Sequence, residues 1–261
     1  MCIKLFISLF FFNIFHSLEQ CNIFYFFNKQ FFCFKYLKDL KIIVSMTSWP
    51  KRINNIPTVI KSILNQNIEP DLIELNLSII EFPNKEKNLP KELINLILKN
   101  KKIEINWVEK NTGVFKKIIP TIKKYYGLNY YLLSIDDDWL YREDYIEIML
   151  KYIKKYNSDS FCLSKSKVIG NRIIYKSLIF EYDFIEKLTD EIIQCKIDDS
   201  YIFHYLSQKK KKMYNYRPNN YNEIIKKYNQ IFPNSGNNET GIYPKELVNK
   251  AIKLINNIKF N

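Results

Sequence analysis

Two periods of hydrophobicity alternate along the chain. Ile42, Ile43 and Val44 form a short buried-strand signal, and residues 72–80 alternate apolar with polar as a second strand. Residues 103–108 read as a third strand, and 130–135 as a fourth, whose apolar run YYLLSI stops abruptly at Asp136, Asp137 and Asp138. Segments 161–163 and 173–180 read as further short strands. Between them, 56–66, 89–98 and 118–126 carry helical spacing. The clearest helix is 145–156, where Tyr145, Ile148, Met149, Tyr152 and Ile153 recur every three or four residues and mark a core-facing stripe. Strands that alternate with helices predict the α/β class with a mostly parallel central sheet. Farther on, 201–206 reads as an apolar helix and 245–258 as a weak one.

The same pattern divides the chain. Residues 1–40 form a hydrophobic, aromatic segment, 41–208 the α/β domain, and 209–261 a basic polar extension with one helix. Lys4 followed by the apolar stretch 5–15 resembles a signal core, yet no small-residue cleavage site follows. Asn13, His16 and Glu19 interrupt the stretch well short of the roughly 20 apolar residues that a spanning helix needs. The second aromatic block, 23–37, carries Lys29 and Lys35 and suits a membrane interface. An interfacial anchor, a cleaved signal and a start codon placed too far upstream all remain open. Membrane association at the cytoplasmic face is the expectation, with secretion as its alternative.

The candidate chemistry lies at the strand ends. Three adjacent carboxylates repel one another, so Asp136–Asp138 form either a solvated turn or a site where a divalent cation with hard oxygen ligands offsets the charge. The carboxyl ends of strands form the ligand crevice of an open α/β sheet, which is where these acids fall. Ser45, Met46, Thr47, Ser48, Trp49 and Pro50 follow the first strand as a predicted turn, with Lys51 and Arg52 after it. Lys116 and Lys117 sit where a helix would begin, either as solvated lysines or as an anion site. Asp198 and Asp199 precede a helix and read as an N-cap pair or as functional carboxylates. The run 209–212 reads as a solvated turn or a contact to anionic headgroups.

Composition trims these options. A formal net charge of +13 invites a nucleic-acid partner, but Arg52, Arg142, Arg172 and Arg217 are the chain's arginines and the remaining basic residues are lysines. Nucleic-acid readers draw on arginine forks, so that class is a weak match and no nucleic-acid partner is expected. Five glycines leave no room for a Gly-rich phosphate loop. Any nucleotide is held by other means. The five cysteines form no CxxC pair and read as apolar fillers. The sequons opened by Asn76 and Asn238 say little in a chain so rich in Asn.

Four segments together, IIVSMTSWPKRI, NTGVFKKIIPTIKKYY, LLSIDDDWLYREDYIE and KIDDSYIFHYL, resemble nucleotide-sugar glycosyltransferases of the GT-A fold with a DxD motif, the group that builds bacterial polysaccharides or glycolipids. The resemblance implies a single GT-A-like domain, with a Rossmann-like nucleotide-binding half and a small acceptor half. It implies that Thr47, Ser48, Trp49 and Arg52 meet the nucleoside and that Lys117 reaches the donor. Asp136 and Asp138 would form the DxD element, with Asp137 beside them on the donor. Asp138, with Asp136, would hold Mn2+ or Mg2+. Asp198 and Asp199 would supply the general base or a carboxylate that positions the acceptor. His204 is a metal ligand in some relatives, although its place in an apolar helix favours packing.

Such residues suit the chemistry. A departing diphosphate gathers charge that a metal and a lysine can stabilise, and an acceptor hydroxyl must give its proton to a carboxylate. The implied partners are a nucleotide-diphosphate sugar, a glycan or glycolipid acceptor and a membrane surface. The rivals are a nucleotidyltransferase and a noncatalytic, degenerate transferase that binds nucleotide or carbohydrate at a membrane.

Overall fold

In the computed structural model, residues 40–163, 172–216 and 245–260 are described. The N-terminal aromatic segment predicted as an anchor lies outside them, as do Arg217 and the Asn238 sequon. Seven strands form one sheet: β1 (Lys41–Thr47), β2 (Leu72–Ser78), β3 (Ile103–Val108), β4 (Tyr130–Ser134), β5 (Ser160–Cys162), β6 (Ile173–Lys176) and β7 (Met213–Asn215). Their spatial order is β3-β2-β1-β4-β6-β5-β7. The first four are parallel, β6 is antiparallel to both β4 and β5, and β7 returns parallel to β5. The fold is α/β with a mostly parallel sheet, as the alternation of periods predicts.

The helices are α1 (Ile56–Leu64), α2 (Lys91–Lys99), α3 (Ile119–Lys124), α4 (Tyr145–Lys155), α5 (Tyr182–Glu186), α6 (Asp190–Gln194), α7 (Asp198–Gln208) and α8 (Lys245–Asn256). Among the described residues no helix is long and apolar enough to cross a membrane. Pro57 and Pro120 stand in the first turns of α1 and α3, where a missing N–H costs nothing. The apolar stripe on α4 buries Tyr145, Ile146, Met149, Leu150 and Ile153.

Three features differ from expectation. Ser45, Met46 and Thr47 belong to β1, not to a turn, because the parallel register continues to Thr47 opposite Asn76. The alternation in β2 predicts a strand with one wet face, yet Glu74, Asn76 and Ser78 are all buried. A polar network takes the place of water there: Thr121 and Lys124 bond Glu74, Lys124 Nζ at 2.8 Å. Asn76 Nδ2 donates to Ser45 Oγ at 3.0 Å and to Thr121 Oγ1 at 3.1 Å, while its Oδ1 accepts from Asn106 at 2.8 Å. Buried polar groups persist only when satisfied in this way. The stretch 173–180 ends as a strand at Lys176, and a 3-10 turn, Ser177–Ile179, follows because Ser177 Oγ folds back to Leu128 O at 2.7 Å.

Cys162 and Cys195 are buried free thiols, in keeping with their reading as fillers. In the run 209–212, Lys209 is no solvated residue: its ammonium pairs with Glu181 at 2.7 Å and Asp183 at 3.0 Å.

Candidate active site

The parallel order reverses between β1 and β4, since β1 leads outward to β2 and β3 on one side and β4 borders it on the other. Loops leaving two such neighbours diverge and open a crevice beyond their carboxyl ends. After β1 the chain turns tightly, with Arg52 N and Ile53 N both bonded to Trp49 O, at 2.9 and 3.0 Å. After β4, Ile135 N bonds Ser45 O at 3.1 Å, extending the pairing to the edge of the acidic triplet. Tyr141 then holds the triplet in place: Asp136 N–H donates to its hydroxyl at 2.9 Å, and that hydroxyl donates to Asp136 O at 3.2 Å.

The three acids are divided between two cations. Asp137, 6% exposed, accepts from Ser48 Oγ and from Arg52 Nη1, each at 2.7 Å. The same Arg52 nitrogen lies 3.1 Å from Asp138 Oδ2. On the other side, Lys117 Nζ lies 3.3 Å from Asp136 Oδ1 and 2.8 Å from Asp198 Oδ2. Lys117 therefore joins the end of β4 to the start of α7, residues far apart in sequence. Asp199 follows on the same helix end, and its electrostatic neighbours are Asp198, Lys117, Asp136 and Arg172.

These contacts set the charge states. Burial, and after it the charge on Asp136, pushes Asp138 up to about 6. Burial likewise raises Asp137 against the pull of Arg52. Asp199 stands well above the usual carboxylate range, first through burial and then through Asp198, with Lys117 pulling the other way. Burial pulls Lys117 down, but Asp198, Asp136 and Asp199 together outweigh it and lift it well above an ordinary lysine. The crevice thus gathers five carboxyl groups around Arg52 and Lys117.

The pair Asp198 and Asp199 does not cap α7. It occupies the first turn itself, with Ile197 at the cap position and no capping side chain. Carboxylates there gain from the helix dipole and from Lys117 instead. Thr47 donates to Asn76 O at 2.7 Å, and Trp49 is half-buried with Lys51 Nζ 5.3 Å from its ring centre. His204 sits partly exposed on α7, bonded through Nε2 to Ile258 O at 3.0 Å, which is neither a metal contact nor full core burial.

Lys116, read from the sequence as a solvated lysine or an anion site, is buried and pairs with Glu81 and, at 2.8 Å, with Asn111 Oδ1; burial lowers its pKa against that pairing. Two residues of this region, Arg172 and Tyr141, are not singled out as site residues by the sequence pattern. Arg172 lies with its guanidinium carbon 3.9 Å from the Trp139 ring centre, a cation–π contact at the crevice edge. One hint existed for it, since arginine is scarce in this chain. Tyr141 carried none, as tyrosine is abundant.

Do the acids suit a divalent cation? Among the described residues, no three His, Cys, Asp or Glu side chains converge into a ready-made cage. Mg2+ bound beside phosphates, however, uses one or two carboxylates, with substrate phosphates and water completing the shell. Asp138, raised first by burial and then by the charge of Asp136, and Asp136 itself have the donor chemistry for that arrangement.

No protein-family model matches the chain, and no curated protein matches it. Solved structures similar to it include Staphylococcus aureus TarS 1-349, at 14% identity and a TM-score of 0.38 over 54% of this chain and 48% of that one. The same protein with UDP-GlcNAc matches at 12% identity and 0.48, over 85% and 68%. The mannosyltransferase PcManGT of Pyrobaculum calidifontis, in complex with GDP-Man and Mn2+, matches at 12% and 0.49, over 73% of this chain and 62% of that one. A 4-diphosphocytidyl-2C-methyl-D-erythritol synthase of Anaerococcus prevotii matches at 12% and 0.44, over 82% and 96%. The chain spans about half to two-thirds of the length of the first two proteins. Likenesses at these scores carry no conclusion about what this chain binds.

Proposed function

We infer that the chain is a metal-dependent glycosyltransferase of the GT-A type, moving a sugar from a nucleotide-diphosphate sugar to a glycan or glycolipid acceptor. The observation that carries this reading is the Lys117 bridge, which brings a strand-end acid of the switch-point crevice and the acidic start of α7 to one ammonium. Such a bridge sets a cation and acids from two distant segments around one crevice, which supports a site for transfer. Asp138 and Asp136 are the residues that would hold Mn2+ or Mg2+. When bound, such a cation neutralises charge on diphosphate oxygens.

The remaining steps belong to the protein's own side chains. Ser48 and Arg52 fix Asp137 and so hold the β1 loop against the acidic turn, shaping the floor on which Thr47, Ser48 and Trp49 would meet the nucleoside. Lys117 and Arg52 are fixed positive charges in a buried crevice, where they stabilise a leaving diphosphate more strongly than they would in water. Asp199 takes the proton of the acceptor hydroxyl. Its raised pKa makes it a stronger base once ionised, and the charge on Lys117 favours that ionisation. Asp198, held by Lys117, orients the first turn that carries Asp199.

Calorimetric titration with UDP, GDP, dTDP and CDP, with Mn2+ or with EDTA, tests the binding half of this reading. The expected result is tight binding of one nucleotide that needs the metal and disappears in Asp138→Ala. Binding of equal strength in EDTA, or in Asp138→Ala, would overturn the metal assignment.

A further inference from the structure

The crevice occupies the carboxyl edge of the parallel strands, and a second feature occupies their amino edge. There, among the described residues, four large apolar side chains stand in water together: Tyr126 is 50% exposed, Leu128 59%, Leu178 53% and Tyr182 63%. Single exposed apolar residues are ordinary, whereas a contiguous group marks a surface that meets a partner.

Local chemistry gathers these four. Gly127, at φ +78°, reverses the chain between α3 and β4 in a backbone conformation that other residues rarely adopt, and Leu128 N closes the turn on Tyr125 O at 3.1 Å. Ser177 Oγ donates to Leu128 O at 2.7 Å and accepts from Tyr130 N at 2.9 Å, which pins the 3-10 turn carrying Leu178 against that loop. The rings of Tyr126 and Tyr182 meet edge to face, their centres 6.2 Å apart.

Position and chemistry identify the occupant. Lys41 opens β1 in register with Tyr130, so the chain arriving from residues 1–39 enters the domain at this same edge, one strand from the patch. Those residues include the aromatic block 23–37, whose composition suits a membrane interface. Tyrosine, with an apolar ring and a polar tip, belongs at headgroup level, and leucine reaches below it. Exposed Lys41 and Lys123 flank the patch, while Lys209 engages Glu181 and Asp183, and Glu186 is the exposed acid of α5. A second copy of the chain fits less well, because each side of a standard protein interface brings about 20–30 residues.

We propose that Tyr126, Leu128, Leu178 and Tyr182 form a membrane-docking face that sets the amino edge of the sheet on a bilayer containing anionic phospholipid. About 20 Å of extended strand runs from Tyr130 to Asp136, so the crevice opens on the side away from the lipid. The proposal is independent of the transferase reading, since it uses none of the crevice residues.

The test mixes the full chain with vesicles of phosphatidylcholine, alone or with phosphatidylglycerol, and reads binding by flotation and amide hydrogen exchange by mass spectrometry. Exchange separates docking of this face from anchoring by residues 1–39 alone. Vesicles with phosphatidylglycerol should slow exchange in peptides spanning 125–129 and 177–183 and leave 136–141 unchanged. Leu128→Glu combined with Leu178→Glu should abolish that protection and lower the partition coefficient at least about tenfold, with thermal unfolding unchanged. Tyr126→Ser combined with Tyr182→Ser should act in the same direction. Absence of vesicle binding, binding that leaves both loops exchanging as before, or protection that neither pair of substitutions alters would each overturn the proposal. Equal protection by phosphatidylcholine alone would overturn the anionic assignment. Protection that grows with protein concentration in the absence of vesicles would give the face to a second copy of the chain instead.

Discussion

Replacing Lys117 with methionine keeps the side-chain volume and removes the charge. The side chains of Lys117, Asp136 and Asp198 are 7%, 15% and 8% exposed, so the two carboxylates would be left buried and facing Asp137, Asp138 and Asp199. Breaking a buried pair by deleting one partner costs about 3–5 kcal/mol. For a chain of this size that is a fall in melting temperature of roughly 6–20 °C. The pH dependence fixes the mechanism. Lys117 has its folded-state pKa raised, so its stabilisation is fully present below the ordinary lysine value and is lost only as pH rises beyond it. Across pH 5 to 8 the wild-type contribution is therefore constant.

In Lys117→Met the acidic cluster keeps its mutual repulsion without the ammonium that offset it, and that repulsion weakens as falling pH lowers the negative charge of the cluster. Urea unfolding of both proteins at pH 8 and pH 5 should show a deficit at pH 8 that is smaller at pH 5 by at least about 1 kcal/mol. Adding Asp198→Asn should restore part of the loss at pH 8. A deficit below about 1 kcal/mol at pH 8, or one of equal size at both pH values, would refute the bridge as a buried electrostatic clamp.

Two further expectations concern the same network. Because Asp138 is raised to about 6, its ionisation costs the folded state nothing below the unfolded value and the full amount above pH 6. Asp138→Asn should therefore stabilise the metal-free protein at pH 7.5 by at most about 3 kcal/mol, with no gain at pH 4. Thermal melts at the two pH values check it, and a loss of stability at pH 7.5 would count against it. Thr121 Oγ1 meets Ser45, Asn76 and Glu74 at once, so Thr121→Val should cost about 2–4 kcal/mol by leaving buried partners unpaired. A change within about 0.5 kcal/mol in urea unfolding would show that the network does not hold α3 to the sheet.

The legible part of this fold is the part written in local periodicity. The third strand and the start of α4 fall where the apolar pattern puts them, and the acidic triplet lies at the end of β4 because an apolar run cannot continue through three carboxylates. Polar residues inside the sheet were not legible: Glu74 and Asn76 look like a wet face until Thr121, Lys124 and Asn106 are seen to satisfy them. The short elements α5, α6 and β7 have too few residues to establish a period. Asp198 and Asp199 read as a cap or as functional carboxylates because capping is a common local use of such a pair, whereas the observed partner of Asp198 is Lys117, eighty-one residues away. Only the sheet order, which puts β4 beside β1, with the 113–117 segment packed against β1 and β2, brings these groups together.

Nucleotide release from a panel of UDP-, GDP-, dTDP- and CDP-sugars, measured with Mn2+, Mg2+ or EDTA on the wild type and Asp138→Ala, tests the central claim most directly. Metal-dependent release from one donor, accelerated by a disaccharide acceptor and lost in Asp138→Ala, is the expected result. Metal-dependent binding of a nucleotide with no release from any donor, with or without acceptor disaccharides, would contradict catalysis and leave a protein that binds without transferring.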